Sequence, residues 1–171
     1  MSIESPANLA ALMAQALAME QEAAERYADL ADSMEMHNNA DVAELFRRMA
    51  AIEGLHAAQI MQQMGWEHPP VASPAPAWEG LEAAETIGVE DVHYLMRPWH
   101  ALQLALVAEQ RAERFFAALA RDAKDEAIRA AALELQREEH EHVELIHAWL
   151  ARVPQPEPDW AVDPDPPRYD S

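Results

Sequence analysis

Cysteine is absent from the 171 residues of this chain. Without thiolates the chain cannot form a disulfide, a cysteine-ligated zinc site or an iron–sulfur centre of its own. Glycine is scarce as well, with 4 residues, whereas hydrophobic residues make up 50% of the chain. Because glycine opposes helix formation while alanine, leucine, glutamate and methionine favour it, the composition predicts a helical protein with a substantial core.

Basic residues are also few: 12 Lys and Arg stand against 31 Asp and Glu, which gives a formal net charge of −19. Such a surface repels phosphate backbones, so we expect no nucleic-acid partner, and it attracts cations such as ferrous iron. No apolar run approaches the length of a membrane span, and the first residues contain neither a basic region nor an apolar core. We therefore expect a soluble, cytoplasmic protein with no membrane partner.

Apolar residues recur at helical spacing in four long segments. The first begins at the Ser5-Pro6 pair, and a short polar turn separates it from the second, which ends near Gly65. The third begins around Pro98, and the fourth follows a break at residues 122–125. Each short break predicts a helix hairpin.

The order of these segments predicts an all-α four-helix bundle built from two hairpins. A stretch as long as residues 65–97 can run along the side of a bundle as a crossover between the hairpins. We assign residues 1–153 to this single domain. From residue 154 the chain is rich in proline and aspartate, so we expect residues 154–171 to form a tail without a core of its own.

Glutamate and histidine interrupt the apolar stripes of all four segments. They occur in the order Glu, Glu-x-x-His, Glu, Glu-x-x-His, as Glu20, Glu53, His56, Glu109, Glu139 and His142. A Glu and a His three residues apart lie about 4.5 Å apart along one helix face, so both can bind one ion. The motif alone is weak, because Glu90/His93 and Glu144/His147 share this spacing. Placement on apolar stripes, at matching distances from the two turns, distinguishes the six.

Four carboxylates at one level of a hydrophobic core cannot all remain charged without counterions. Two divalent cations supply four positive charges, and carboxylate oxygens with one imidazole per ion suit iron or manganese. We therefore expect a site for two iron ions, with manganese or a mixed pair as the alternative. The plainer interpretation is a buried polar network that contains no metal.

The two halves of the chain resemble each other, since residues 20–31 align with residues 109–120. This similarity indicates an internal duplication with pseudo-two-fold symmetry. Together with the duplicated motif, it makes residues 5–152 similar to the ferritin-like superfamily and, within it, to rubrerythrins.

The resemblance implies a role for each of the six residues. By the family pattern, Glu53 and Glu139 would bridge the two ions. Glu20 and Glu109 would be terminal ligands, and His56 and His142 would each bind one ion. The resemblance also implies that Tyr27 reaches towards the site as a catalytic residue outside the ligand set. Glu22, Glu25, Glu138 and His140 lie near these residues in sequence but are predicted to be off the site's face.

Two departures from the family pattern bear on function. Rubrerythrins usually carry a four-cysteine rubredoxin domain, and its absence here implies a separate electron donor, either rubredoxin-like or a flavoprotein. The family also places a glutamate three residues after the third-helix ligand, where this chain has Ala112 with Glu113 beside it.

Three functions are compatible with these features. We expect an oxidoreductase that reduces peroxide or dioxygen. The alternative, which the change at Ala112 favours, is oxidation and storage or delivery of ferrous iron. A bundle that retains metal only for stability is the third. We also expect a homo-oligomer, with a dimer favoured.

Overall fold

The structure, a computed structural model, describes residues 8–71 and 97–155. These residues form four long helices: α1 (Leu9–Met36), α2 (Ala40–Met64), α3 (Pro98–Asp122) and α4 (Glu126–Leu150). Helices α1 and α2 pack along each other as one hairpin, α3 and α4 form a second, and α1 also contacts α4. The predicted all-α bundle of two hairpins is confirmed.

Local capping explains where the helices begin and end. The predicted start at Ser5-Pro6 lies outside the described residues, and α1 instead begins after Asn8, whose Oδ1 accepts a first-turn backbone N–H at 2.8 Å. Helix α2 ends at Gly65, as predicted, and its φ of 68° is one that glycine adopts without strain. Asp125 caps α4 by accepting two backbone N–H groups, which fixes the predicted break before that helix.

Two apolar clusters fill the bundle, one towards each end. The first joins the start of α1 and the end of α3 with residues such as Leu17 and Phe116. The second joins the end of α1 and the start of α3 with residues such as Leu30 and Leu102. The apolar core is therefore interrupted between the two clusters, at the level where the glutamate and histidine residues of the apolar stripes lie.

The two clusters also show which ends of the bundle the long connection joins. The end of α2 packs against the first cluster through Met61 and Met64, whereas α3 begins in the second through Ala101. The 25 residues of α2 extend about 37 Å. The end of α2 and the start of α3 thus lie at opposite ends of the bundle, and the crossover between them stays a prediction.

Residues 72–96 of that crossover and 156–171 of the predicted tail lie outside the described residues. The division into a domain of residues 1–153 and a tail therefore stays a prediction. No helix within residues 8–71 and 97–155 is both long and apolar enough to cross a membrane.

Candidate metal centre

A layer of polar side chains separates the two apolar clusters. It contains all six of the residues predicted from the sequence, namely Glu20, Glu53, His56, Glu109, Glu139 and His142. Five of them are exposed by 5% or less, and the side chain of His56 is exposed by 18%. The structure brings the six side chains together in two adjacent groups, while their role as metal ligands remains a prediction.

The first group surrounds the ring of His142. Its Nδ1 lies 2.9 Å from Oε1 of Glu53, 3.5 Å from Oε2 of Glu109 and 3.7 Å from Oε2 of Glu139. Metal–donor bonds of about 2.1 Å place two donors of the same octahedral ion about 3.0 to 4.2 Å apart. Glu53, Glu109 and His142 offer donor atoms that all lie within 4.8 Å of one another. This group can therefore hold one metal ion.

The second group surrounds the ring of His56. Its Nδ1 lies 3.8 Å from Oε2 of Glu20 and 3.8 Å from Oε2 of Glu138. The three donor atoms again lie within 4.8 Å of one another, so this group can hold a second ion. The two imidazoles stack with their ring centroids 5.5 Å apart and nearly parallel, which places His142 and the first group directly beside the second.

The placement of Glu138 corrects the prediction that this residue lies off the face of the site. Glu138 is one residue before Glu139, about 100° around α4. Its half-buried side chain crosses towards α2 and reaches the Nδ1 of His56. The sequence does contain an indication that position 138 is covered by a neighbouring helix. When the two halves are aligned, Glu138 corresponds to Ile52, which belongs to the apolar stripe of α2.

Tyr27 lies against the first group, as the resemblance implied. It is 3% exposed, and its Oη–H donates a hydrogen bond to Oε1 of Glu109. Its ring stacks on Phe46, with the ring centroids 5.8 Å apart. Burial, and then the charge of Glu109, raise the pKa of Tyr27 well above its usual value, so the phenol keeps its proton.

The protonation of the layer follows from its burial. Burial raises the pKa of Glu53 to about 9, and burial together with the charge of Glu109 raises that of Glu139 well above its usual value. Burial opposes the charge of His142, but its carboxylate neighbours outweigh this effect and raise its pKa. For Glu109, the interactions with Glu139 and with the nearby His142 outweigh burial and lower the pKa.

The second group shows related shifts. The pKa of His56 is raised chiefly by its interaction with Glu20, whereas burial raises the pKa of Glu138. In both groups, the raised pKa values favour bound protons, which offset negative charge that cations would otherwise balance.

Unsatisfied polar atoms test whether metal ions fit these groups. Within the described residues, both carboxylate oxygens of Glu53, Oε2 of Glu20 and Nδ1 of both His56 and His142 are buried without a hydrogen bond of good geometry. The 2.9 Å approach of His142 to Glu53 is short enough in distance, but its geometry does not make a hydrogen bond. Buried donors and acceptors rarely stay unpaired, so this set fits cation ligands better than a self-sufficient polar network.

The other candidates near the site face elsewhere. Glu113 does not replace the glutamate that the family has in place of Ala112, because its Oε1 lies 2.8 Å from Nδ1 of the exposed His140. Glu25 is exposed, and Glu22 pairs with Arg26. These positions agree with the predicted faces of the helices.

More distant candidates also lie away from the layer. Glu144 and His147, which share the motif spacing, are exposed. His100 is buried at the first turn of α3, where its Nδ1 accepts the backbone N–H of Arg97. Glu90 and His93 lie outside the described residues.

Comparisons with known proteins agree with this geometry. The rubrerythrin family model matches residues 11–97. A crystal structure of an uncharacterized conserved protein from Magnetospirillum magnetotacticum MS-1 is 35% identical, with 88% of this chain and 98% of that chain covered and a TM-score of 0.71. No curated protein matches the chain. On the family match and this structural likeness, the chain belongs to the rubrerythrin family.

Proposed function

We propose that this protein is a di-iron oxidoreductase that reduces peroxide or dioxygen with electrons from a separate donor. The observation that supports the proposal is the pair of adjacent carboxylate–histidine groups, each sized for one ion, in a layer closed by apolar clusters. Membership of the rubrerythrin family supports iron as the metal.

The ligand set follows from the two groups. His142 and Glu109 would hold one ion and His56 and Glu20 the other, and Glu53 on α2 and Glu139 on α4 would supply further carboxylate ligands to the pair. Two adjacent redox-active ions supply two electrons together, the number needed to cleave the O–O bond of hydrogen peroxide and form two water molecules. The protein contributes a largely buried layer in which charged ligands are held in place.

Tyr27 orients one of these ligands. Its Oη–H donates to Oε1 of Glu109, which leaves Oε2 of that carboxylate, 3.5 Å from His142, to face the first group. A cavity of about 30 Å³ lies beside Tyr27, Glu109 and Ala112, which is enough space for at least one water molecule. An oxidant as small as peroxide matches this scale, and Tyr27 holds a proton next to it.

The proposal includes a partner for electron transfer. The sequence contains no cysteine for an iron–sulfur centre, so the proposed donor is a separate protein, either rubredoxin-like or a flavoprotein. We also propose a homodimer for the enzyme, whereas a closed cage would suit storage of iron. A mass measurement by light scattering distinguishes a dimer from a cage.

A second function is favoured by one observation. Ala112 offers no carboxylate, and Glu113 beside it is turned towards His140, so the first group lacks the additional glutamate that rubrerythrins carry. Oxidation of ferrous iron as a substrate, followed by storage or delivery of the product, does not need that residue. This alternative predicts consumption of iron rather than turnover of an electron donor.

Stopped-flow absorbance separates the two functions. Protein loaded with two equivalents of ferrous iron should be oxidised rapidly by stoichiometric hydrogen peroxide and should return to the ferrous state when a reduced donor is added. His142→Ala should slow the oxidation, while Glu141→Gln, an exposed change on the same helix, should not. Consumption of excess ferrous iron well beyond two equivalents, with a ferric mineral as product and no donor-dependent turnover, would refute the oxidoreductase assignment.

A further inference from the structure

A cavity of about 260 Å³ lies between helices α1, α2 and α4. Leu9 and Ile60 contribute apolar walls, and His56 and Glu138 are the lining residues that belong to the second group. The first group is less accessible, since the side chain of His142 is 7% exposed compared with 18% for His56. A dissolved cation can therefore approach the second group through this cavity.

The distances around His56 fit an ion better than a hydrogen-bonded network. Oε2 of Glu20 and Oε2 of Glu138 each lie 3.8 Å from the same Nδ1, which is too far for a hydrogen bond. Two ligands of one octahedral ion with bonds of about 2.1 Å stand about 3.0 to 4.2 Å apart, a range that includes this distance. Glu138 is therefore on the same side of the imidazole as Glu20, where an ion would lie.

An independent observation points to a ligand at this position. Glu20 is 2% exposed, and within the described residues its Oε2 has no hydrogen-bond partner. The Nδ1 of His56 is likewise buried without one. Both atoms border the gap that Glu138 closes on its third side. Buried polar atoms that converge on one gap without partners of their own are expected where a cation completes the network.

The two halves of the chain differ at this position. When Glu53 is aligned with Glu139, Ile52 aligns with Glu138, so only the second half supplies a carboxylate there. The duplicated arrangement alone therefore does not account for Glu138. The extra carboxylate makes the two metal positions chemically unequal.

We propose that Glu138 is a seventh protein ligand, which binds the metal ion at the His56 position and meets it at the inner end of the cavity. This inference rests on the proposed two-metal centre and adds a ligand to it. The chemistry is that of a divalent cation bound by two carboxylates and one imidazole, Glu20, Glu138 and His56.

Titration with cobalt(II) tests the inference without relying on activity. The unmodified metal-free protein should bind two Co²⁺ ions per chain, and its visible absorption should report the coordination of each. Glu138→Gln should weaken one of the two binding events by at least about 10-fold, the smallest cost typical of losing even a residue that only supports a ligand, and change its absorption, while the other is retained. Glu141→Gln removes the same charge from an exposed position of α4 and should leave both events unchanged.

Two further variants identify which position has lost its ligand. In His56→Ala, the additional change Glu138→Gln should have little further effect, because both act on the same ion. In His142→Ala, it should weaken the remaining ion as it does in the unmodified protein. Glu138→Ala should recover Co²⁺ affinity when acetate is added, since the cavity is large enough to admit a free carboxylate to the vacated position.

The possible outcomes distinguish the role of Glu138 from the existence of the two-metal centre. Two Co²⁺ ions bound with equal affinity and unchanged absorption by Glu138→Gln would overturn the role of Glu138 and leave the two-metal centre intact. Fewer than two ions bound by the unmodified protein would overturn the centre and Glu138 with it. Because glutamine has nearly the shape of glutamate and position 138 is partly exposed, Glu138→Gln is expected to fold, and its circular dichroism checks this.

Discussion

The raised pKa of Glu53 in the metal-free protein can be tested through its effect on the free energy of unfolding. This side chain is 1% exposed, and burial raises its pKa to about 9, compared with 4.5 for an ordinary glutamate. Between these two pH values the folded state binds more protons than the unfolded state. The contribution of Glu53 to the free energy of unfolding of the metal-free protein therefore falls as pH rises from about 4.5 towards 9.

The size of the effect follows from that shift. From pH 4.5 to pH 7 the unfolded carboxyl ionises while the folded one stays neutral, and each pH unit costs about 1.4 kcal/mol. Glu53 therefore lowers the stability of the metal-free protein by about 3 kcal/mol at pH 7. Glu53→Gln has a neutral side chain in both states, so it should be more stable than the unmodified protein by that amount, with a melting temperature roughly 6 to 12 °C higher.

Thermal unfolding in the presence of a chelator, followed by circular dichroism at pH 5 and pH 7, measures this difference. At pH 5 the advantage of Glu53→Gln should shrink to about 1 kcal/mol, because the unfolded glutamate is then only partly ionised. Glu141→Gln removes the same charge from the surface and controls for the acidic character of the protein. If Glu53→Gln is no more stable than this control at pH 7, the folded protein does not hold Glu53 neutral.

Three other outcomes follow from the same layer. The protein reconstituted with ferrous iron should contain about two iron ions per chain, and the double variant Glu53→Ala with Glu139→Ala should contain far fewer; equal metal analyses would contradict the two-ion site. Chelation should lower the melting temperature by roughly 10 to 20 °C, because each of two ions at 100 times its dissociation constant stabilises the folded state by about 2.7 kcal/mol; identical melting curves would show that bound metal adds no stability. Tyr27→Phe should keep the iron content but slow peroxide-dependent oxidation, since Glu109 loses the hydrogen bond that orients it; unchanged kinetics would make Tyr27 a packing residue only.

The six residues of the polar layer could be predicted because their pattern combines two constraints. Helical periodicity assigns each to an apolar stripe, and similar distances from the turns bring Glu20 level with Glu53, and Glu109 level with Glu139. Each constraint alone is weak, as the exposed Glu144 and His147 show. Their spacing is that of the motif, but they lie on the solvent side of α4.

Glu138 shows what the pattern could not give. Helical periodicity assigns a side chain to a direction around its own helix, and Glu138 is about 100° from Glu139. Whether it is solvated depends on how closely α2 approaches that side of α4, which is a tertiary property. A long, flexible glutamate can also reach across a gap that a short side chain could not. The alignment of Glu138 with Ile52 was the one local indication that this side of the helix is covered.

The start of α1 shows a second limit of the pattern. Serine followed by proline is a good beginning for a helix, but Asn8 competes with it three residues later. In the structure, Oδ1 of Asn8 accepts the backbone N–H of Ala11 and α1 begins at Leu9. Several residues with suitable chemistry can cap one helix, so periodicity predicts that the helix exists better than it predicts its first residue.

The position of the layer links stability to function in this bundle. Apolar clusters on both sides stabilise the four helices, and they also withdraw water from the carboxylates between them. Without metal, this burial holds Glu53 in its neutral, protonated form. A cation can bind the ionised carboxylate only by replacing that proton. Metal binding must therefore release protons, and metal affinity must increase as pH rises. Proton release on binding of Co²⁺, measured in weakly buffered solution at pH 7, should therefore be smaller in Glu53→Gln than in the unmodified protein. Equal release would mean that other residues supply the protons and that Glu53 does not exchange its proton for a metal ion.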